Sequence, residues 1–473
     1  MLRATGPEAR SQLLRGLETE IMLLIPSEEE WVDKPFAELE EQAMGIARKF
    51  AAQLLEKRLL LDPRARLDRQ FECSKCRRPL RIQKPQQHRS LPTTAGKVDY
   101  ERPYGTCDRC LISYAPLDCG LGLPSTGASM PHRRKVCDAA VSGRSFRIGA
   151  RILKEHDGLV VSEKHVRRVS ESEGRRLMRE CEKEIKVLKA GEWPALLETK
   201  PYELIVVTAD GGRIQTIQAE GESHWKEDKI AAVYDAIAQD NADAASDKEY
   251  EGAKAQTKTY AASMTSWEEF GWMLLLEALK RGYRQAKQKI FLSDGGQGPK
   301  SLQQMHFSDA AFILDWYHAV EHLSDCAKAA FGEATEEYKQ WYEKFKQKLW
   351  DGDIDAIVEA IGKESERIGK PAAKEPEGSP KLILHRNVDY FGENRKGMDY
   401  PRFRSEGWPI ASGIAEGSVK QFGLRMKGTE KFWNGFGFGM GAEEMLALCA
   451  LYLSEDGRWD RHWKKRSQPY QRE

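Results

Sequence analysis

The chain has 473 residues, 40% hydrophobic and 31% charged, with a formal net charge of +1. This length is too great for one compact core, so several domains are expected. No apolar run approaches the roughly 20 residues of a membrane span, and "MLRATGPEARSQLLRGLETE" has acids where a secretory signal has its apolar core, so a cytoplasmic protein is expected.

Residues 1–68 read as an N-terminal helical segment. Within it, "PFAELEEQAMGIARKFAAQLLEKRLL" is rich in strong helix formers. Leu39, Ala43, Ile46, Phe50 and Leu54 recur at helical spacing, which predicts a packing helix over 35–60.

Residues 69–125 change character. Nine cysteines, an odd number, with the first four in two close pairs, argue for metal rather than disulfides. Cys73-x2-Cys76 and Cys107-x2-Cys110 each present two thiolates from a tight turn, and together they can complete a tetrahedron around one Zn²⁺. Four thiolates leave no open position, so this zinc-ribbon-like module is structural. The thirty residues between the pairs accommodate a β-hairpin, with "GKVDYERPYGTC" as a strand. Cys119 lies close by, but four ligands already suffice.

Residues 126–195 are helical and basic. From 131 to 170 there are ten Lys or Arg and four Asp or Glu, an excess hidden in the whole-chain total. "RIGARILKEHDGLVVSEKHVRRVSESEG" reads as helix, turn, helix. Ile148, Ile152 and Leu153 form an apolar face before Gly158, and Ser162 is placed to cap the second helix. That helix carries Lys164, His165, Arg167 and Arg168, with Val166 and Val169 turned inward. A short basic helix after a tight turn suits DNA contact; the alternative is a solvated charged helix.

From 196 to 315 apolar strands alternate with helices, an α/β pattern. "YELIVVTAD" ends on Asp210 and "KIFLSD" on Asp294, each followed by two glycines. Residues 316–408 contain long helical stretches and a Pro- and Lys/Glu-rich loop at 369–381. Residues 409–473 resume with "SGIAEGSVKQFGLRM", whose core stripe is Ala415, Val419, Phe422 and Met426, with Glu416 off it. Carboxylates at strand ends often only start turns. The repeated Asp-Gly-Gly context with Glu416 points instead to phosphodiester chemistry, in which carboxylates hold two divalent ions and glycines allow close approach.

These markers together resemble bacterial insertion-sequence transposases of the ISKra type, relatives of the Mutator-like DDE superfamily. The likeness runs from about 35 to 465, through "CDRCLISYAPLDCGLGL", "TADGGR", "FLSDGGQG", "ILDWYHAVEHL" and "GWPIASGIAEGSVKQFGLRMKGTEKFWN". It implies a multidomain α/β protein. An RNase H-like mixed sheet, flanked by helices and carrying a helical insertion, would follow the N-terminal helix, the four-cysteine module and the helix-turn-helix-like module. It places the catalytic triad on Asp210, Asp294 and Glu416, holding two Mg²⁺ (or Mn²⁺), with Asp210 bridging. It puts a near-site signature on Asp315 and His318. One departure is Ala411-Ser412-Gly413, where the family often has Gly-Ser-Gly. The implied activity is metal-dependent cleavage and strand transfer on DNA, both element inverted repeats and target, by a homodimer or larger assembly. Lys420 and Arg425, with Lys427, are candidates for phosphate contact. Trp433 is a candidate for base stacking, or else a packed core residue.

Two rival readings are testable. His318-Ala-Val-Glu321-His322 spells a zinc-peptidase helix. A domesticated DNA-binding regulator that no longer cuts is the other.

Overall fold

The computed structural model describes residues 7–25, 27–193, 201–217, 223–239, 243–429, 431–434 and 441–469. The chain forms two compact units, Met1–Ser170 with Trp459–Glu473, and Glu171–Arg458.

The first unit opens with helices α1 (Pro7–Leu24), α2 (Glu28–Trp31) and α3 (Phe36–Leu60). Helix α3 starts directly after Pro35, which takes an extended conformation. Ala52 and Leu59 of α3 rest on a small core of Leu91, Val98, Tyr100 and Leu117. The sequence-predicted packing helix is present, with Leu39, Ile46 and Phe50 of its stripe half-buried, though no residue of α3 is fully buried. Ala43 is exposed and Leu54 is 39% exposed, because the surface beneath α3 covers only one side of it.

Strands β1 (Arg81–Thr93), β2 (Gly96–Thr106) and β3 (Ser113–Tyr114) make an antiparallel sheet. The hairpin turns tightly at Gly96, whose φ of 115° suits glycine. Asp118, in helix α4 (Pro116–Gly120), locks the hairpin. Its Oδ2 accepts from Arg89 and Arg102, both at 2.6 Å, and its Oδ1 from the Tyr100 hydroxyl at 2.7 Å. All four side chains are buried, so the two cations and the phenol offset the cost of desolvating the carboxylate.

Helices α5 (Met130–Ser142), α6 (Phe146–Asp157) and α7 (Glu163–Lys189) follow. Helix α6 stops at left-handed Gly158, and the Ser162 hydroxyl accepts from the His165 amide at 3.2 Å to start α7. Val166 and Val169 are buried. The second helix, expected to be short, runs for 27 residues.

The second unit is built on a mixed sheet. Strands β4 (Leu204–Ile217), β5 (Trp225–Ile237), β6 (Lys254–Ser263), β7 (Gln288–Ser293) and β8 (Ala311–Leu314) take the order β6–β5–β4–β7–β8, with β9 (Trp433–Asn434) on the far end of β4. Strands β4, β5 and β6 are antiparallel; β4, β7 and β8 are parallel. Leu204 to Val207 are buried, as a central strand covered on both faces requires.

Helix α8 (Trp267–Lys280) covers one face, where Phe270, Leu274 and Ala278 pack on Ile205, Val207, Ala209 and Val233. Helix α9 (Gln297–His306) adds Leu302 to the same core. A helical segment follows: α10 (Trp316–Phe331), α11 (Glu336–Trp350), α12 (Ile354–Ile368), α13 (Pro380–Glu393) and α14 (Tyr400–Ser405). Helix α15 (Gly413–Met426) then packs on β4 and β5 from the opposite face. Its Phe422 meets Tyr260, with ring centroids 5.8 Å apart. Helix α16 (Ala442–Leu453) follows in this unit, and α17 (Arg458–Arg466) belongs from Trp459 onward to the first. No described helix is long and apolar enough to cross a membrane.

Candidate metal centre and carboxylate site

The four-cysteine site is assembled from two matching turns. Arg77 N donates to Cys73 O at 2.9 Å, and Leu111 N to Cys107 O at 2.8 Å. Cys73 N reaches Arg78 O at 2.7 Å, and Cys107 N reaches Ile112 O at 2.9 Å. Arg77 and Leu111, each following the second cysteine of its pair, both have positive φ. The ligand atoms of Cys73, Cys76, Cys107 and Cys110 all lie within 4.8 Å of one another. Sulfurs on a tetrahedral zinc sit about 3.8 Å apart, and Cys76 and Cys107 are already at 3.5 Å. The Cys110 amide lowers the Cys107 pKa to about 7, whereas its sulfur neighbours, Cys76 first, push Cys110 up to about 12. Four thiolates at this range need a cation between them. The cluster can therefore hold a structural metal such as zinc.

The carboxylate site lies where β4 and β7 part. Their parallel register ends at Thr208↔Leu292. Carried two residues further, that register brings Asp210 level with Asp294. From here the chain continues to β5 on one side and β8 on the other, the switch point where parallel sheets bind ligands. Asp210 does not end its strand, as the sequence suggested. Strand β4 runs on to Ile217, because β5 pairs with it as far as Gln215 and β9 takes Thr216 and Ile217. The glycines behind Asp210 also have a local reason: a Cβ on Gly212 would fall 2.7 Å from Asp228 Oδ1. Gly295 is different, since its φ of 81° turns the chain from β7 into α9, and a Cβ there would meet Leu314 at 2.5 Å.

Asp210 alternates onto the α15 face of the sheet, and Glu416 stands in the first turn of α15. Burial and then the Asp294 carboxylate raise the Asp210 pKa; Glu416 adds to this, while the Gly211 amide and His318 oppose it. The three acids and His318 thus share one electrostatic neighbourhood, and all three acids are partly accessible. Asp294 Oδ1 accepts from Gly296 N at 2.9 Å, and Glu416 pairs with Lys420 at 3.2 Å. The acids do not form a closed cage; among the described residues the four cysteines are the one tight cluster of metal ligands.

Asp315 braces this site. It is fully buried and caps α10, accepting from His318 N at 2.8 Å and from His318 Nδ1 at 3.1 Å. Its other oxygen accepts from Ser412 N, just before α15. The Asp315 contact raises the His318 pKa to about 9, with Asp294 and Glu321 contributing. His322 faces elsewhere: Nδ1 meets Asn387 Oδ1 at 2.7 Å and the ring stacks on Tyr390. The two imidazoles of His-x-x-Glu-His therefore do not share a metal-binding position.

The expected DNA contacts divide. Lys164, Arg167, Arg168, Lys420 and Lys427 are exposed. His165 turns inward, its Nε2 3.1 Å from Nε2 of buried His132. Arg425 is corrected from surface phosphate contact to buried residue: it is 3% exposed, with its guanidinium 5.1 Å from the Trp433 ring, and burial lowers its pKa to about 10. Trp433 is packed, donating to Met426 O at 2.8 Å. One acid went unnoticed in the sequence. Asp228, 1% exposed, has a buried Oδ1 without a hydrogen-bond partner. It lies opposite Gly212, on the same sheet face as Asp210. Only the cross-strand register reveals it.

No family model matches the chain, and no curated protein matches it. Function has to be argued from the site itself.

Proposed function

We propose that this protein is a DDE-type DNA transposase that hydrolyses phosphodiesters at the ends of an insertion sequence and joins the freed ends to target DNA. The observation that supports the reading is the strand register that brings Asp210 level with Asp294, with Glu416 in the first turn of the helix packed on that face of β4. A sheet of three antiparallel and two parallel strands with helices on both faces is the frame an RNase H-like core requires.

Asp210, Asp294 and Glu416 would hold two Mg²⁺ or Mn²⁺ ions, which supply activation of the attacking oxygen and neutralisation of the leaving one. Two strands and a helix present these oxygens from rigid elements. His318, protonated at neutral pH, provides a fixed positive charge that offsets repulsion among the acids. Asp315 positions both His318 and the start of α15. Lys420 holds Glu416 until a stronger cation competes. Water would attack phosphorus and give up its protons, one to the departing 3′ oxygen, so that a 3′-hydroxyl and a 5′-phosphate result; that hydroxyl would then attack a target phosphodiester, whose own bridging 3′ oxygen leaves as a hydroxyl. Exposed Lys164, Arg167 and Arg168 would meet DNA phosphates.

The test is purified protein with DNA carrying candidate inverted repeats and Mg²⁺. The parent should nick at the repeat ends, and Asp210→Asn should still bind but nick at least about 1,000-fold more slowly. Binding without nicking by the parent would favour the non-cleaving regulator.

A further inference from the structure

Helix α3 runs for 25 residues without a buried one. One side faces β2 through Ala52 and Leu59. Another side carries Glu40, Met44, Ala47, Ala51, Leu54 and Arg58, spaced 4, 3, 4, 3, 4. That spacing is the seam of a helix pair. Met44 is 52% exposed and Leu54 39%, even with α1 packed against α3. Glu40, Ala47 and Arg58 are exposed as well, and Ala51 partly.

We propose that α3 pairs antiparallel with α3 of a second copy of this chain. The seam reads the same from both ends: charge, large apolar residue, alanine, alanine, large apolar residue, opposite charge. Antiparallel pairing about Lys49 sets Glu40 against Arg58 of the partner subunit, and Met44 against the partner's Leu54. Ala47 meets the partner's Ala51, where small side chains let the helices approach closely. The two-fold axis repeats each contact, so the interface closes after two copies. A parallel pair would set Glu40 against Glu40 and Arg58 against Arg58, so the charges select the antiparallel arrangement. The seam spans roughly 27 Å, at 1.5 Å per residue. Lys49 lies off the seam and does not meet its counterpart. The inference depends on neither the carboxylate site nor its reaction.

Sedimentation equilibrium of the full chain tests it. The wild type should be dimeric. Glu40→Arg and Arg58→Glu alone should each weaken the dimer by about tenfold or more, and Met44→Glu by more still. The double reversal E40R/R58E should restore it, and unchanged circular dichroism would show that each variant folds. A wild type that stays monomeric at about 100 µM, well above the range of specific dimers, overturns the proposal. So does a dimer indifferent to the single reversals, or a double variant no better than the singles.

Discussion

The four-cysteine site and the carboxylate site are built in opposite ways. The cysteine site comes from two short turns that repeat one hydrogen-bond pattern, so each pair is shaped before the other arrives. The carboxylate site comes from β4, the end of β7 and the start of α15, and exists only once the sheet is in register. The first draws its four ligand atoms within 4.8 Å of one another; the second leaves its acids apart and partly accessible. Local turns make a site that stabilises. Long-range assembly makes a site that stays partly open, at the cost of holding like charges together.

That contrast can be broken in order of expected effect. The largest effect should come from the cysteines. Cys107→Ser, or a strong chelator, should release about one zinc per chain and unfold the hairpin module, since metal binding there contributes on the order of 10 kcal/mol to folding. Metal analysis alongside near-ultraviolet circular dichroism would report it; a metal-free protein with an unchanged spectrum would end the structural-zinc reading.

Next is the hairpin lock. Asp118→Ala leaves Arg89 and Arg102 buried without their acid, and should cost about 3–5 kcal/mol in urea unfolding. A loss below about 1 kcal/mol would mean that water enters the cluster.

At the carboxylate site the effects should be smaller and depend on pH. The folded pKa of His318, about 9, lies above its ordinary 6.5. Its stabilisation is therefore full below pH 6.5 and is lost as pH rises through 9. Discounted for partial exposure, the loss is on the order of 1–2 kcal/mol. Asp315→Asn should bring the His318 titration, followed by NMR, back toward 6.5; an unmoved titration would show that Asp294 and Glu321 suffice. Asp210 shifts the other way in its consequence. A raised carboxyl pKa destabilises the fold above the ordinary value of 3.8, and this is relieved as pH falls through the raised one. Asp210→Asn should therefore raise the melting temperature at neutral pH, and an unchanged or lower one would show that the carboxylate carries no such strain. Mg²⁺ should stabilise the parent but not this variant.

Much of the frame was legible from residue pattern. Leu204 to Val207 read as strand because every side chain in the run is apolar. The cysteine pairs were legible because their geometry is local. What pattern could not show was set by partners. The extension of β4 past Asp210 depends on β5; the inward turn of His165 depends on His132, in another helix. Arg425 ends on a helix face that Trp433 closes off, and Asp228 is buried by a glycine opposite. Edge strand β6 begins with "KAQTK", too polar to announce a strand before β5 accepts it.

The brace at Asp315 has a consequence for how this chain tolerates change. Its bond to Ser412 joins residues 97 apart, and beside it Trp316 N reaches Ile410 O at 2.8 Å. Everything between them leaves and returns through one tied neck. The length of an excursion closed at its root adds little entropy once the knot exists. Helix α12 could then be shortened with Glu416 still delivered to its neighbours, whereas α11 could not, since its Trp350 packs on Trp316 at the neck with ring centroids 5.1 Å apart, and cutting the knot would set Glu416 adrift.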